Sequence, residues 1–309
     1  MKKISYTCTN GLGDKLLDVI GIHVLCHYLE LNPKIKFNKD HQEHFDWGSN
    51  IYDTRLFEPI EAFTQLENCE YHINSPNPSS SLSPYKVYKY LCDQNKPVVL
   101  TDINDKYHEY AKLIKPAEPI RERLPQVLEK AYGIHLRKSD KVKSQGCDIR
   151  HENKIDEFTI ILENLLKDVE KIIIEEENPV FLVVSEDKAW KKTITEYIFE
   201  NAKGKHIEFI ELDYSNPKEY MNFEGILDMF ALSRCKTIMQ GVKYSSYSIL
   251  AALISKNKLI NYSHTLESNM ECLIYSWNSA VEINGEYIKN IDILSCITKT
   301  IQNIEIITL

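Results

Sequence analysis

Long apolar runs are missing from this chain. No stretch of about 18 consecutive apolar residues, the length a membrane-spanning helix needs, occurs anywhere in it. The opening residues MKKISYTCTNGLGDK hold no apolar core of signal-peptide length. An excess of positive charge is missing too. Lys and Arg number 37 against 45 Asp and Glu, for a net charge of −8 and a pI near 5.7. Broad nucleic-acid binding wants a basic face, so that function class is excluded. Eight cysteines stand at 8, 26, 69, 92, 147, 235, 272 and 296, with no CxxC pair and no zinc spacing. A structural metal is therefore not expected, nor is a disulfide framework, and the simplest setting is the reducing cytoplasm. Glycine is scarce, at 10 residues. The one Gly-rich turn, Asn10-Gly-Leu-Gly-Asp-Lys15, lacks the third Gly of a dinucleotide fingerprint and the GK[ST] ending of a P-loop.

What is present is an ordinary globular composition, 43% apolar and 27% charged. A length of 309 residues suggests two domains. Lys115-Pro-Ala-Glu-Pro119 has the composition of a linker and divides the chain into residues 1–118 and 119–309. In the first part, strands are expected at 2–7, 35–37 and 97–101, with a helix over 14–31 that Asp14 caps. Residues 75–84, SPNPSSSLSP, form a loop by composition. In the second part strand and helix alternate. Strands are expected at 132–137, 180–185, 206–212, 236–240 and 258–262. Helices are expected at 120–130, 154–170, 188–201, 218–233, 247–255 and 287–302. That alternation predicts an α/β protein with a parallel, doubly wound sheet. Two Rossmann-like domains facing a central cleft is the architecture expected.

The chemistry gathers where these strands end. The segment Gly133-Ile-His-Leu-Arg-Lys-Ser-Asp-Lys-Val142 runs an apolar strand into a polar cluster. Strand alternation puts His135 and Arg137 on one face and Ile134 and Leu136 on the other. Open sheets bind ligands at the carboxyl ends of their strands, and a guanidinium fork suits phosphate. Glu186 and Asp187 close the next strand, either to receive a base or ribose or to cap a helix. Asp228 lies in an amphipathic helix among apolar neighbours and wants a partner, which a guanine base or a nearby cation supplies. Gly241, Ser245 and Ser246 join a strand to a helix, either to hold phosphate or to cap that helix. Gly11, Gly13 and Asp14 allow a close backbone approach to an anion or form a plain tight turn.

This ordered set resembles the fucosyltransferase superfamily that includes the α-1,6-fucosyltransferases, the nodulation fucosyltransferases and the protein O-fucosyltransferases. The family motif His-x-Arg-Arg-Thr-Asp-Lys-Val stands here as His135-Leu-Arg-Lys-Ser-Asp-Lys-Val142. The N-terminal glycine loop is Gly11-Leu-Gly-Asp14, and the acidic pair is Glu186-Asp187. The third motif is Asp228-Met-Phe-Ala-Leu-Ser233 followed by Ser245-Ser246. The likeness covers residues 130–255 well and the N-terminal loop loosely.

The resemblance implies a GT-B-like fold and an inverting, metal-independent transfer of fucose from GDP-fucose to an oligosaccharide or glycoconjugate. No cofactor and no metal is implied. His135 and Arg137 would contact the diphosphate, with Lys141 nearby. Asp228 would hold guanine, Glu186 or Asp187 would help seat the nucleoside, and Ser245 and Ser246 would take the β-phosphate. Gly11, Gly13 and Asp14 would face the donor from the other domain. The α-1,6 enzymes carry a Glu four residues after the motif Lys, where this chain has Gln145; their second Arg is Lys138 here. Asp148 is then the nearest candidate base, with His151 and Glu152 behind it. The departure leaves open another GDP-sugar, or a non-catalytic protein that binds nucleotide sugars. Phe45, Trp47, Tyr52 and Phe57 either stack on acceptor sugars or pack in the core.

Overall fold

The computed structural model describes residues 12–30, 54–58, 84–137, 153–216, 218–220, 222–242, 245–262, 280–283 and 286–289. Its centre is a seven-stranded sheet. The strands are β1 (Tyr132–Leu136), β2 (Val180–Ser185), β3 (Glu208–Phe209), β4 (Thr237–Gln240), β5 (Lys258–Asn261), β6 (Ala280–Ile283) and β7 (Glu286–Lys289). They lie in the order β3-β2-β1-β4-β5-β6-β7. Every pairing is parallel except the last, between β6 and β7. Beyond α1 (Leu12–Leu29), α2 (Pro84–Asp93), α3 (Leu100–Ala111) and the single turn α4 (Glu118–Arg121), the helices are α5 (Asn153–Glu175), α6 (Lys188–Asn201), α7 (Phe223–Arg234) and α8 (Ser246–Ser255).

A parallel sheet is covered on both faces, so its strands read as continuous apolar runs. Phe181, Leu182, Val183 and Val184 are all buried. Their side chains divide between two cores. Val180, Leu182 and Val184 join Ile238 and Leu259 under α1, α2, α3, α7 and α8. Phe181 and Val183 join Ile134, Leu136, Met239 and Ile260 under α5 and α6. Each such side chain contributes about 1.5–3 kcal/mol on burial. The first core is continuous across the expected domain boundary: Leu17, Ile20 and Val24 of α1 share it with Ile249, Leu250 and Leu253 of α8.

Strand β2 and helix α6 have the bounds read from the sequence, and β1, β4, β5 and α8 differ from them by a residue. Other elements differ more. Residues 97–101 are not a strand, because Leu100 opens α3. There Ile103, Tyr107 and Ala111 repeat every four residues and are buried, which is helical spacing. The helix expected over 120–130 is broken at Pro125 into α4 and a 3-10 turn, Gln126–Lys130. Proline disfavours the helical conformation in the residue before it. Strand 206–212 shrinks to β3, an edge with one neighbour. Residues 286–289 pair as β7 rather than starting a helix. Among the described residues every sheet strand lies beyond residue 131, and the earlier part contributes helices. The expected strands at 2–7 and 35–37 lie outside the described residues.

Candidate functional site

The strand order reverses direction at β1, with β2 on one side and β4 on the other. In doubly wound sheets ligands sit outside the carboxyl ends of the strands at that switch. Three groups of candidates lie there: Arg137 after β1, Glu186-Asp187 after β2, and Gly241 with Ser245 and Ser246 after β4. Gly241 N–H donates to the His135 carbonyl at 2.9 Å. A Cβ on Gly241 would stand 2.6 Å from Leu136 Cδ2 and 3.3 Å from the His135 carbonyl oxygen, so a larger residue there would have to push the Leu136 side chain aside.

His135 projects onto the face opposite Ile134 and Leu136, as alternation requires. Its Nδ1 is 2.6 Å from the Ser248 hydroxyl on α8, and its ring lies 5.1 Å from that of Tyr247. Burial, seconded by the charge of Arg137, lowers its pKa to about 3, so the imidazole is neutral at physiological pH. Tyr247 is held by a hydrogen bond from its hydroxyl to the Gly225 carbonyl of α7. Its own pKa is pushed up chiefly by burial and then by the charge of Asp228, while Arg137 pulls it down. Tyr247 thus links β1 to α7, its ring against His135 and its hydroxyl on Gly225.

The acidic group on α7 is Asp228. Its neighbours Ile226, Leu227, Met229 and Phe230 are sealed in the core, whereas Asp228 keeps partial contact with solvent. Burial raises its carboxyl to about 6 against the pull of a hydrogen bond from Tyr214 and the charge of Lys191. The Tyr214 hydroxyl donates to Oδ1 at 2.6 Å. A neutral phenol holds one carboxylate oxygen, and the charge of Lys191 acts on the group as well.

Gly13 and Asp14 lie within the first turn of α1, not in a loop before it, so Asp14 is not the cap. Gly13 also permits a close contact between two helices. A Cβ there would come within 2.6 Å of Tyr247 N and 2.7 Å of the Ser246 carbonyl carbon. Glycine lets the N-termini of α1 and α8 touch. Helix N-termini carry partial positive charge, so two of them side by side favour an anion. Ser245 caps α8, its hydroxyl accepting from Ser248 N–H at 3.4 Å. Asp187 likewise caps α6, accepting from Ala189 and Trp190 N–H at 2.9 and 3.3 Å. Ser246 is buried at the same turn as Ser245, and Glu186 is exposed at the end of β2.

The structure therefore brings together His135, Arg137, Gly13, Ser245, Ser246 and, through Tyr247, Asp228. Gly11, Lys141, Gln145, Asp148, His151 and Glu152 lie outside the described residues, as do Phe45, Trp47 and Tyr52. Phe57 packs on Phe230 at 5.7 Å, which is core packing rather than a sugar platform. Sequence reasoning missed Ser248, Tyr247 and Tyr214. The first two carried a weak signal in the polar run Ser245-Ser-Tyr-Ser248 after a strand. Tyr214, alone in a loop, carried none. Among the described residues no three His, Cys, Asp or Glu side chains gather as a metal site would need. No helix among them is long and apolar enough to cross a membrane.

No family model and no curated protein matches the chain. Solved structures do. A NodZ alpha-1,6-fucosyltransferase soaked with GDP-fucose aligns with a TM-score of 0.49 at 12% identity, over 87% of this chain and 97% of that one. The fucosyltransferase NodZ from Bradyrhizobium gives 0.45 and 12%, over 94% and 99%. POFUT1 in complex with GDP gives 0.42 and 13%, over 81% and 94%. These are fucosyltransferases, the class the sequence motifs resemble, but at TM-scores below 0.5 they assign no chemistry to this chain.

Proposed function

We propose that the chain is a glycosyltransferase of the fucosyltransferase type that takes a GDP-sugar, GDP-fucose in the first instance. The observation that carries this reading is the convergence at one place of the end of β1 and the first turns of α1 and α8, through His135 Nδ1 at 2.6 Å from the Ser248 hydroxyl and the close approach of Gly13 to Tyr247. A nucleoside diphosphate has a base that donates N–H groups and a diphosphate that seeks cations. Asp228 suits the first, and Arg137 at the end of β1 together with the adjoining N-termini of α1 and α8 suits the second. His135 would donate from a neutral ring, and Ser246 would offer a hydroxyl to the β-phosphate.

In this reaction the acceptor oxygen forms its bond to the anomeric carbon as the bond from that carbon to the diphosphate oxygen breaks, with inversion. The acceptor hydroxyl loses its proton to Asp148. The leaving diphosphate gathers charge that Arg137 and Lys141 meet, with no metal in the role. Residues 1–118 would hold the glycan acceptor and residues 119–309 the donor, in a cytoplasmic setting. Gln145, standing where the α-1,6 enzymes carry Glu, supports a second reading in which the chain binds the nucleotide sugar without turnover.

Titration calorimetry with GDP, ADP and UDP in EDTA tests the donor site. Selective micromolar binding of GDP is expected, and equal binding of the three nucleotides would refute it. Transfer from GDP-fucose then separates the two readings. Where transfer occurs, Arg137→Ala should lower its rate by about 10²–10³ with the fold intact.

A further inference from the structure

We propose that Tyr214 is a positioning residue of the nucleotide site, holding the Asp228 carboxylate in one orientation for the N–H donors of the purine. The inference rests on the GDP reading above and deepens it. Its first support is the choice of partner. A buried carboxylate paired with a cation is neutralised and occupied, whereas a phenol donates one hydrogen bond and leaves the negative charge in place. Tyr214 donates to Oδ1 at 2.6 Å. Lys191, the nearby cation, lies 5.8 Å from the Tyr214 ring centre and is paired with Glu211 at 3.7 Å. Its charge reaches Asp228 at a distance.

The second support is that the loop carrying Tyr214 is fixed on both sides. Asp213 accepts from Ser215 N–H and the Ser215 hydroxyl, each at 2.9 Å. Arg123 lies 3.6 Å from Asp213, donates to the Ser215 hydroxyl at 3.4 Å and stacks over Phe223 at 5.3 Å. Asn216 and Tyr220 exchange two bonds of 2.9 Å. A phenol on so constrained a loop arrives in place before any ligand does, which is how a supporting shell pre-organises a site.

The groups that set the Asp228 titration are few. Tyr214 comes from the loop after β3, Lys191 from α6, and Glu224 from α7 itself. Tyr247 of α8 bonds the Gly225 carbonyl of α7, and the charges of Asp228 and Arg137 both act on it. Of these, Tyr214 is the one that donates a hydrogen bond to the carboxylate, and it favours the ionised form.

The test is Tyr214→Phe, with GDP and inosine diphosphate bound calorimetrically between pH 5.5 and 8.5 and a thermal melt as control. Inosine lacks the 2-amino group of guanine, so a well-aimed carboxylate discriminates against it. In the wild type, GDP affinity should fall as pH drops through about 6. In Tyr214→Phe that fall should begin about one pH unit higher, the scale of one hydrogen bond to a charged group. The preference for GDP over inosine diphosphate should shrink roughly tenfold at every pH, again the scale of one such bond. A variant that melts lower but keeps the wild-type pH midpoint and preference would overturn the proposal and leave the GDP site standing. A wild type that binds GDP and inosine diphosphate equally would overturn this proposal, and one that also binds ADP and UDP as tightly would overturn the GDP reading with it.

Discussion

Replacing Gly13 by Ala should destabilise the protein, although the residue lies in a helix where Ala is intrinsically better. The added Cβ would stand 2.6 Å from Tyr247 N, 2.7 Å from the Ser246 carbonyl carbon and 2.8 Å from Tyr247 Cα. All three are backbone atoms of the first turn of α8 and cannot rotate aside. Ordinary contact needs about 3.5 Å, so α1 and α8 must part by roughly 0.8 Å. A gap of that size forfeits about a quarter to a half of each dispersion contact across it. The core at risk holds Leu16, Leu17 and Ile20 of α1 together with Ile249, Leu250 and Leu253 of α8. Overpacking of this kind costs about 1–3 kcal/mol. The helix propensity of Ala returns less than about 1 kcal/mol in a first turn. A net loss of about 1–2 kcal/mol follows. It should be seen as a lower urea midpoint at unchanged m-value. Gly225→Ala is the control, since a Cβ there meets nothing within 4 Å. It should stabilise by up to about 1 kcal/mol. If Gly13→Ala also stabilised, the argument for close approach of α1 and α8 would be wrong.

Further outcomes follow from the buried titratable groups. Burial lowers His23, His108 and His135 to about 4, 4 and 3, so each binds its proton only after unfolding. Their contribution is present above pH 6.5 and lost as pH falls toward 4. Asp228 acts in the opposite sense, since its folded pKa is raised to about 6 and its ionisation costs stability as pH rises through that value. Around pH 5 these groups leave a net uptake of two protons on unfolding. Urea stability should then fall by about 2.7 kcal/mol per pH unit on acidification there, and a flat profile from pH 6.5 to 4.5 would refute it. Asp228→Asn should stabilise the fold by about 1–3 kcal/mol at pH 8 and by little at pH 4, while GDP binding is lost. Equal stabilisation at the two pH values would remove the buried charge as its cause.

The parallel sheet was legible because strands buried on both faces must be apolar runs, and the helices between them carry one apolar stripe. That is why β2 and α6 could be bounded from residues alone. The elements that escaped are those whose outcome depends on a partner. Pro97–Thr101 has the composition of a strand, but Ile103, Tyr107 and Ala111 find a helical surface to pack on. Residues 286–289 become a strand because β6 offers an edge.

The site divides in the same way. Sequence by itself determined that His135 and Arg137 share a face at the end of a strand, that Asp228 sits on an otherwise apolar helix, and that Ser245 follows β4. Alternation, helical period and capping preference are local properties, carried by neighbours in the chain. Tertiary structure alone decided that Gly13 serves helix contact, that Ser248 meets His135, and that Tyr214 holds Asp228. The last two contacts join residues 113 and 14 positions apart. No local rule reaches across them, because a hydrogen bond between distant segments exists only once packing has set where each helix and loop lies.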